Sequence, residues 1–129
     1  MLLTRNIDRR MKRIINPSVI HNTKNILGEG LHISRLGIFW LDIVDAKLFV
    51  NIKSNILNTF ELPEQASAIW KVEDELVYLA SVSGICTFNL KTSQWNIVAP
   101  MPDKDLSFAM RANDGVGIGQ EYYFFGTME

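Results

Sequence analysis

Phe39-Trp40-Leu41-Asp42-Ile43 and, further on, Val77-Tyr78-Leu79 decide how this chain folds. The first is a short apolar and aromatic run after the turn residue Gly37, which has the length and composition of a buried strand. Lys47 to Ile52 is a second such run, and Asn58 to Leu62 closes the group before Pro63. The pattern then returns. Val77-Tyr78-Leu79 matches Phe39-Trp40-Leu41, and Asn89-Leu90-Lys91-Thr92 matches Asn51-Ile52-Lys53-Ser54. Both matches share an offset of about 38 residues, near the repeat length of propeller blades. A third copy begins at Tyr122-Tyr123-Phe124-Phe125.

Each repeat reads as about four short strands separated by turn residues, the pattern of a four-stranded antiparallel blade. The expected fold class is all-β, with about two and a half blades of a β-propeller over residues 16–129. A blade cannot bury both faces alone and needs neighbours. Propellers use about four to eight blades, so the chain is expected to be a truncated segment, to complete a ring with copies of itself, or to fold as a smaller two-sheet protein. Residues 1–15 read differently. Leu3, Ile7, Met11 and Ile14 recur at helical spacing among Arg5, Arg9, Arg10, Lys12 and Arg13, which predicts a short basic helix or tail.

Composition narrows the function. Of 129 residues, 47% are hydrophobic and 21% charged, as in ordinary globular domains. A net charge of -1 gives no overall attraction to nucleic acid. No apolar stretch reaches the roughly 20 residues of a membrane span, and the basic N-terminus lacks the apolar core of a secretory signal. Cys86 is the single cysteine, so no intrachain disulfide forms, and a cytoplasmic location is expected. In its alternating run Cys86 reads as a small buried hydrophobe.

Three motifs carry the chemistry: Leu27-Gly28-Glu29-Gly30, Arg111-Ala112-Asn113-Asp114-Gly115, and Phe125-Gly126-Thr127-Met128. They offer a carboxylate beside two glycines, then an arginine, an amide and a second carboxylate at what reads as a turn. Such groups suit an oxygen-rich ligand or a hard cation. Gly115-Val116-Gly117-Ile118-Gly119 is superficially like a phosphate loop but precedes an aromatic strand, not a helix. His21 and His32 lack the spacing of a metal pair, Trp40, Trp70 and Trp95 fall on strands, and Glu73-Asp74-Glu75 reads as a solvated turn.

From about Ile20 to Met128 the chain resembles the N-terminal part of the regucalcin (senescence marker protein), gluconolactonase and luciferin-regenerating enzyme family. The opening Leu-Gly-Glu-Gly motif, the aromatic strand ending in Asp42-Ile43, the Arg-x-Asn-Asp-Gly motif and Phe125-Gly126-Thr127-Met128 all follow in the family's order. Leu31 and Ile33 stand where the family usually carries Pro and Trp. The resemblance implies a six-bladed propeller that hydrolyses sugar lactones or related esters with one divalent cation, calcium or zinc. It assigns Glu29 as a metal ligand and Arg111 and Asn113 as substrate contacts.

The family's later ligands, an asparagine and an aspartate that also serves as general base, have no counterpart in this sequence. No catalytic residue is therefore assigned, and the isolated chain is expected to be inactive. The alternative is a non-catalytic module that binds a hydroxylated ligand and completes a propeller by self-association, three two-blade copies giving about six blades. Expected partners are other copies of the chain and a small sugar lactone, with no nucleic acid and no membrane span.

Overall fold

The computed structural model describes residues 17–52, 55–102 and 110–128. The basic segment 1–15 and Glu129 lie outside the described residues. Every regular element described is a strand: β1 (Gly28–Ile33), β2 (Gly37–Asp42), β3 (Lys47–Ile52), β4 (Ile56–Glu61), β5 (Ala66–Glu73), β6 (Leu76–Ser81), β7 (Gly84–Asn89), β8 (Trp95–Pro100), β9 (Arg111–Ile118) and β10 (Tyr122–Met128). They form three antiparallel sheets, β1-β2-β3-β4, β5-β6-β7-β8 and β9-β10. The fold is all-β, two four-stranded blades and a two-stranded third. Among the described residues no helix is long and apolar enough to cross a membrane.

The sheets stack face to face because alternate residues on each strand are apolar. Phe39, Leu41, Leu48 and Val50 leave the first sheet on one face and meet Val77, Leu79 and Phe88 of the second. Phe39, Leu41, Leu48, Val77 and Leu79 are fully buried, and each such side chain contributes roughly 1.5–3 kcal/mol. The opposite face of the second sheet carries Ala68, Ala80 and Ile85 against Ala112 and Met101. There Trp70 stacks on Tyr123 with ring centroids 5.5 Å apart.

Strand β5 touches both β1 and β9, so the first strand of each sheet is the innermost. Each four-stranded sheet is a simple meander, in which the fourth strand runs opposite to the first. A short connection at residues 62–65 then starts β5 from the end at which β1 starts. Early in β9 Ala112 packs with Ala68, early in β5, and further along Gly117 lies against Trp70, so β9 runs parallel to β5. The beginnings of β1, β5 and β9 therefore lie at one end of the stack.

The repeat is real, but its length is not uniform. Gly37 pairs with Ile52 in the first sheet where Leu76 pairs with Asn89 in the second. Second strands are thus 39 residues apart and third strands 37, because the turn at 43–46 is two residues longer than the turn at 82–83. The offset of 38 is their mean. It equates Leu41, which points on to the next sheet, with Leu79, which points back. One residue of slip moves a strand side chain to the other face.

Candidate functional site

Each innermost strand is irregular near its start. In β1 the register with β2 breaks between Glu29 and His32. In β5 it breaks between Ala66 and Ala68, leaving Ser67 unopposed. In β9, Asn113 and Asp114 stand opposite Gly126 alone, between the pairs Ala112–Thr127 and Gly115–Phe125. Such bulges bend a strand and re-aim its side chains. Gly30 takes φ +65 inside the first one, and a Cβ there would lie 2.9 Å from Leu41 Cδ1 and 3.4 Å from the Ser67 carbonyl oxygen. Only glycine lets β1 settle this closely on β5.

Glu29 is exposed beside that bulge. With His21, Thr23, Asn25, Leu31 and Trp40 it lines a cavity of about 360 Å³. The segment before β1 forms the far wall. His21 Nε2 lies 2.9 Å from Asn51 Oδ1, and the imidazole stacks on Trp40. Trp40 stacks in turn on Phe49 at 5.4 Å. The indole thus serves both core and cavity.

Two carboxylates, buried Asp42 and half-buried Glu64, tie the starts of β1 and β5 in place. Asp42 accepts the N–H groups of Ile26 at 2.7 Å, Leu27 at 3.2 Å and Asp45 at 3.3 Å. Burial alone would raise this carboxyl, but backbone donors from Ile26, Leu27, Asp45 and Val44 outweigh it and hold it below the usual carboxylate range. In the second sheet the acid sits on the other partner. Glu64, just before β5, accepts the Ser81 hydroxyl at 2.7 Å, the Ser83 N–H at 2.9 Å and the Ser83 hydroxyl at 2.7 Å. Equivalent main-chain bonds accompany both clasps, Ile43 N–H to Leu27 O at 3.0 Å and Val82 N–H to Gln65 O at 3.1 Å.

The reading of Asn113-Asp114-Gly115 as a turn does not hold. These residues lie within β9, and the hairpin turn comes later, at 119–121, where Gly119 takes φ +62. Asn and Asp favour irregular backbone because their side chains bond nearby N–H groups, and here that preference supports a bulge. Asp114 Oδ1 accepts the Gly115 N–H at 2.7 Å. Asn113 is exposed, and half-buried Arg111 donates from Nη1 to the Ala112 carbonyl at 2.9 Å. Gly115 and Gly117 also lie in β9, paired with Phe125 and Tyr123, so the glycine run is sheet and not a phosphate loop.

The other singled-out residues are structural. Cys86 is fully buried, 3.2 Å from the Ser81 hydroxyl. His32 is half-buried, and burial lowers its pKa. Asp74 and Glu75 form the exposed turn between β5 and β6, while Glu73 accepts from Lys71 Nζ at 2.7 Å.

Glu29 offers a carboxylate, Asn113 an amide and Arg111 a guanidinium, all on innermost strands near one end of the stack. The oxygen donors are of the kind a hard cation takes, but calcium needs about six to eight of them. Among the described residues no group of three or more His, Cys, Asp or Glu stands close enough to hold a metal ion. Ser67, between the two strands, is 3% exposed with a hydroxyl that has no hydrogen-bond partner. Sequence reading missed Ser67, Asp42 and Glu64. Only Asp42 carried a signal, as an acid at the end of a wholly apolar strand, where a charge must be paired or hydrogen-bonded.

Three comparisons place this geometry. The family described as SMP-30/Gluconolactonase/LRE-like region matches residues 27–129. No curated protein matches the chain. Among solved structures, the calcium-binding protein regucalcin from Agrobacterium tumefaciens is similar, with 27% sequence identity and a TM-score of 0.75 over 85% of this chain and 38% of that one. The chain thus spans well under half the length of that relative. With the family match covering all of its described strands, the chain belongs to the SMP-30/gluconolactonase/LRE-like family.

Proposed function

We propose that this chain supplies one part of a divalent-cation site for sugar-lactone hydrolysis, with Glu29 as a cation ligand and Arg111 and Asn113 as contacts to the substrate. The observation that carries it is the set of bulges at the starts of β1, β5 and β9, with Glu29 exposed at the first and Asn113 at the last. Membership of the family and likeness to a calcium-binding regucalcin favour calcium as the cation.

A bound cation would polarise the ester carbonyl as a Lewis acid. Arg111 would orient the substrate through its oxygens, and the Asn113 amide would bond a hydroxyl or ring oxygen. Hydrolysis also needs a base for the attacking water; the resemblance assigns it to an aspartate with no counterpart in this sequence, and His21 is the other ionisable side chain lining the Glu29 cavity. The isolated chain therefore binds calcium weakly and turns over little or no lactone. Calorimetric titration with calcium tests this. Weak binding that disappears in Glu29→Ala supports the reading, and heats unaffected by that substitution refute it. Lactone hydrolysis assayed with calcium, zinc or manganese gives a second readout. Turnover lost in Glu29→Ala would show that the chain holds more of the site than proposed.

The second reading is a non-catalytic module that completes its ring by self-association. It is favoured by the large apolar side chains left exposed at both ends of the stack, Leu31 and Ile33 on β1 and Val116, Ile118, Tyr122 and Phe124 on the β9–β10 hairpin. Titration with glyconolactones, in a chain that binds no calcium, separates it from the first.

A further inference from the structure

We propose that Asp114 is a site of spontaneous modification, where the β9 bulge holds its carboxyl against the Gly115 nitrogen and the residue isomerises to isoaspartate. The modification itself does not depend on the catalytic reading.

Asp114 is the single aspartate that precedes a glycine, and no asparagine precedes one. A following glycine leaves the main-chain nitrogen unshielded and its backbone free to turn. The other aspartates of the described residues are followed by Ile43, Ala46 and Glu75. Asp42 is also buried, its oxygens held by backbone N–H groups. Asp114 is exposed, and its Oδ1 lies 2.7 Å from the Gly115 nitrogen. The carboxyl carbon is one bond from that oxygen, so nitrogen and carbon stand in near-attack proximity. A regular strand stands its side chains roughly perpendicular to the sheet. The bulge, with Asn113 and Asp114 opposite Gly126 alone, re-aims this one along the main chain.

The fold also keeps the glycine in place. A Cβ on residue 115 would run into the Tyr123 hydroxyl and lie 3.0 Å from the Phe124 carbonyl oxygen. Tyr123 is itself held by stacking on Trp70 and Phe125. Packing between β9 and β10 therefore excludes the larger residue that would slow the reaction.

The chemistry needs only solvent. The Gly115 nitrogen attacks Asp114 Cγ, forms a C–N bond and gives up its proton, and the carboxyl hydroxyl leaves as water. The product is a five-membered succinimide. Water then adds to one of its two carbonyls. Opening at Cγ restores aspartate. Opening at the main-chain carbonyl routes the backbone through Cβ and leaves the carboxylate on Cα. The added main-chain atom falls where two residues already face one, so the pairs from Gly115–Phe125 onward hold while Asn113 is re-aimed. With Asn113 as a substrate contact, isomerisation is a slow loss of that contact.

Incubating the folded chain at physiological temperature and pH, beside a synthetic peptide of residues 112–129, tests it. Tryptic cleavage after Arg111 releases that same segment, which holds no further lysine or arginine. Isoaspartate in it is read by isoaspartyl methyltransferase labelling and by fragmentation across the Cα–Cβ bond. Circular dichroism confirms that the chain and its variants are folded. Isoaspartate at 114 should accumulate faster in the chain than in the peptide. It should be absent in Asp114→Glu, which needs a slower six-membered ring. Asp114→Asn should lose ammonia and reach the same product sooner. A rate equal to or below that of the peptide, or isoaspartate confined to other aspartates, would overturn the proposal. The readout contains neither cation nor substrate, so its failure leaves the proposed function standing, and failure of that function leaves the modification standing.

Discussion

Replacing Asp42 by Asn should unfold this protein far more readily than the change of one atom suggests. The Asp42 side chain is 2% exposed and its two oxygens accept N–H groups of Ile26, Leu27 and Asp45. Asparagine keeps one acceptor oxygen and turns an NH₂ group toward backbone donors, so one or two of these bonds are lost, depending on which way the amide faces. Bonds to a charged acceptor contribute roughly 1.5–3 kcal/mol each, and an unpaired buried donor is unfavourable by about 1–3 kcal/mol. The expected loss is about 3–5 kcal/mol, a large share of the roughly 5–15 kcal/mol that stabilises a domain. With a urea slope of about 1–3 kcal/mol/M, the midpoint falls by roughly 1–5 M. Urea titration followed by fluorescence of Trp40, Trp70 and Trp95 reads this directly. The effect depends on pH with a definite sign. The folded carboxyl titrates below its ordinary value, so its contribution is complete above the unfolded pKa of about 3.9 and is lost as pH falls through the folded value. Wild type should therefore approach Asp42→Asn in stability as the solution is acidified below about pH 4. A loss under about 0.5 kcal/mol at neutral pH, the usual range for a surface change, would refute the clasp, as would a gap that stays constant into acid.

Leu79→Ala removes a fully buried side chain between the first two sheets and should destabilise by about 2–5 kcal/mol in the same urea titration. Gly117→Ala puts a Cβ 2.9 Å from Trp70 Cδ1 where β9 packs on β5; a loss of about 1–3 kcal/mol is expected, with a change in Trp fluorescence before unfolding. Tyr123→Phe should be neutral or stabilising in thermal unfolding, because the Tyr123 hydroxyl is buried without a partner and its removal leaves no group unsatisfied. Glu29→Ala should leave the unfolding free energy within about 0.5 kcal/mol of wild type, as expected of an exposed side chain away from the packed faces.

The strand content, the blade repeat and the family were legible because they rest on local signals: apolar runs of strand length, turn residues between them, and motifs in one order. What was hidden depended on contacts between distant residues. The repeat of 38 averaged 39 and 37 because turn length shifts register without changing strand composition, and so Leu41 and Leu79 were equated across opposite faces. Asn113-Asp114-Gly115 read as a turn because its chemistry is that of a turn; whether such residues make a turn or a bulge is set by the partner strand, here by Gly126 opposite two residues. The clasps of Asp42 and Glu64 join residues 15 to 19 apart in sequence, beyond any local pattern. Glu29, Arg111 and Asn113 were named as site residues from the resemblance alone. The structure adds that they lie on innermost strands beginning at one end of the stack, and that Ser67 stands on the strand between.

The most direct measurement is a crystal of the chain soaked with a lanthanide in place of calcium, read by anomalous scattering. A peak at about 2.3–2.6 Å from a Glu29 carboxylate oxygen, at the end of the stack where β1, β5 and β9 begin and absent in Glu29→Ala, is the predicted result. A peak held by other carboxylates, with Glu29 left in solvent, would contradict the assignment of this end as the cation site.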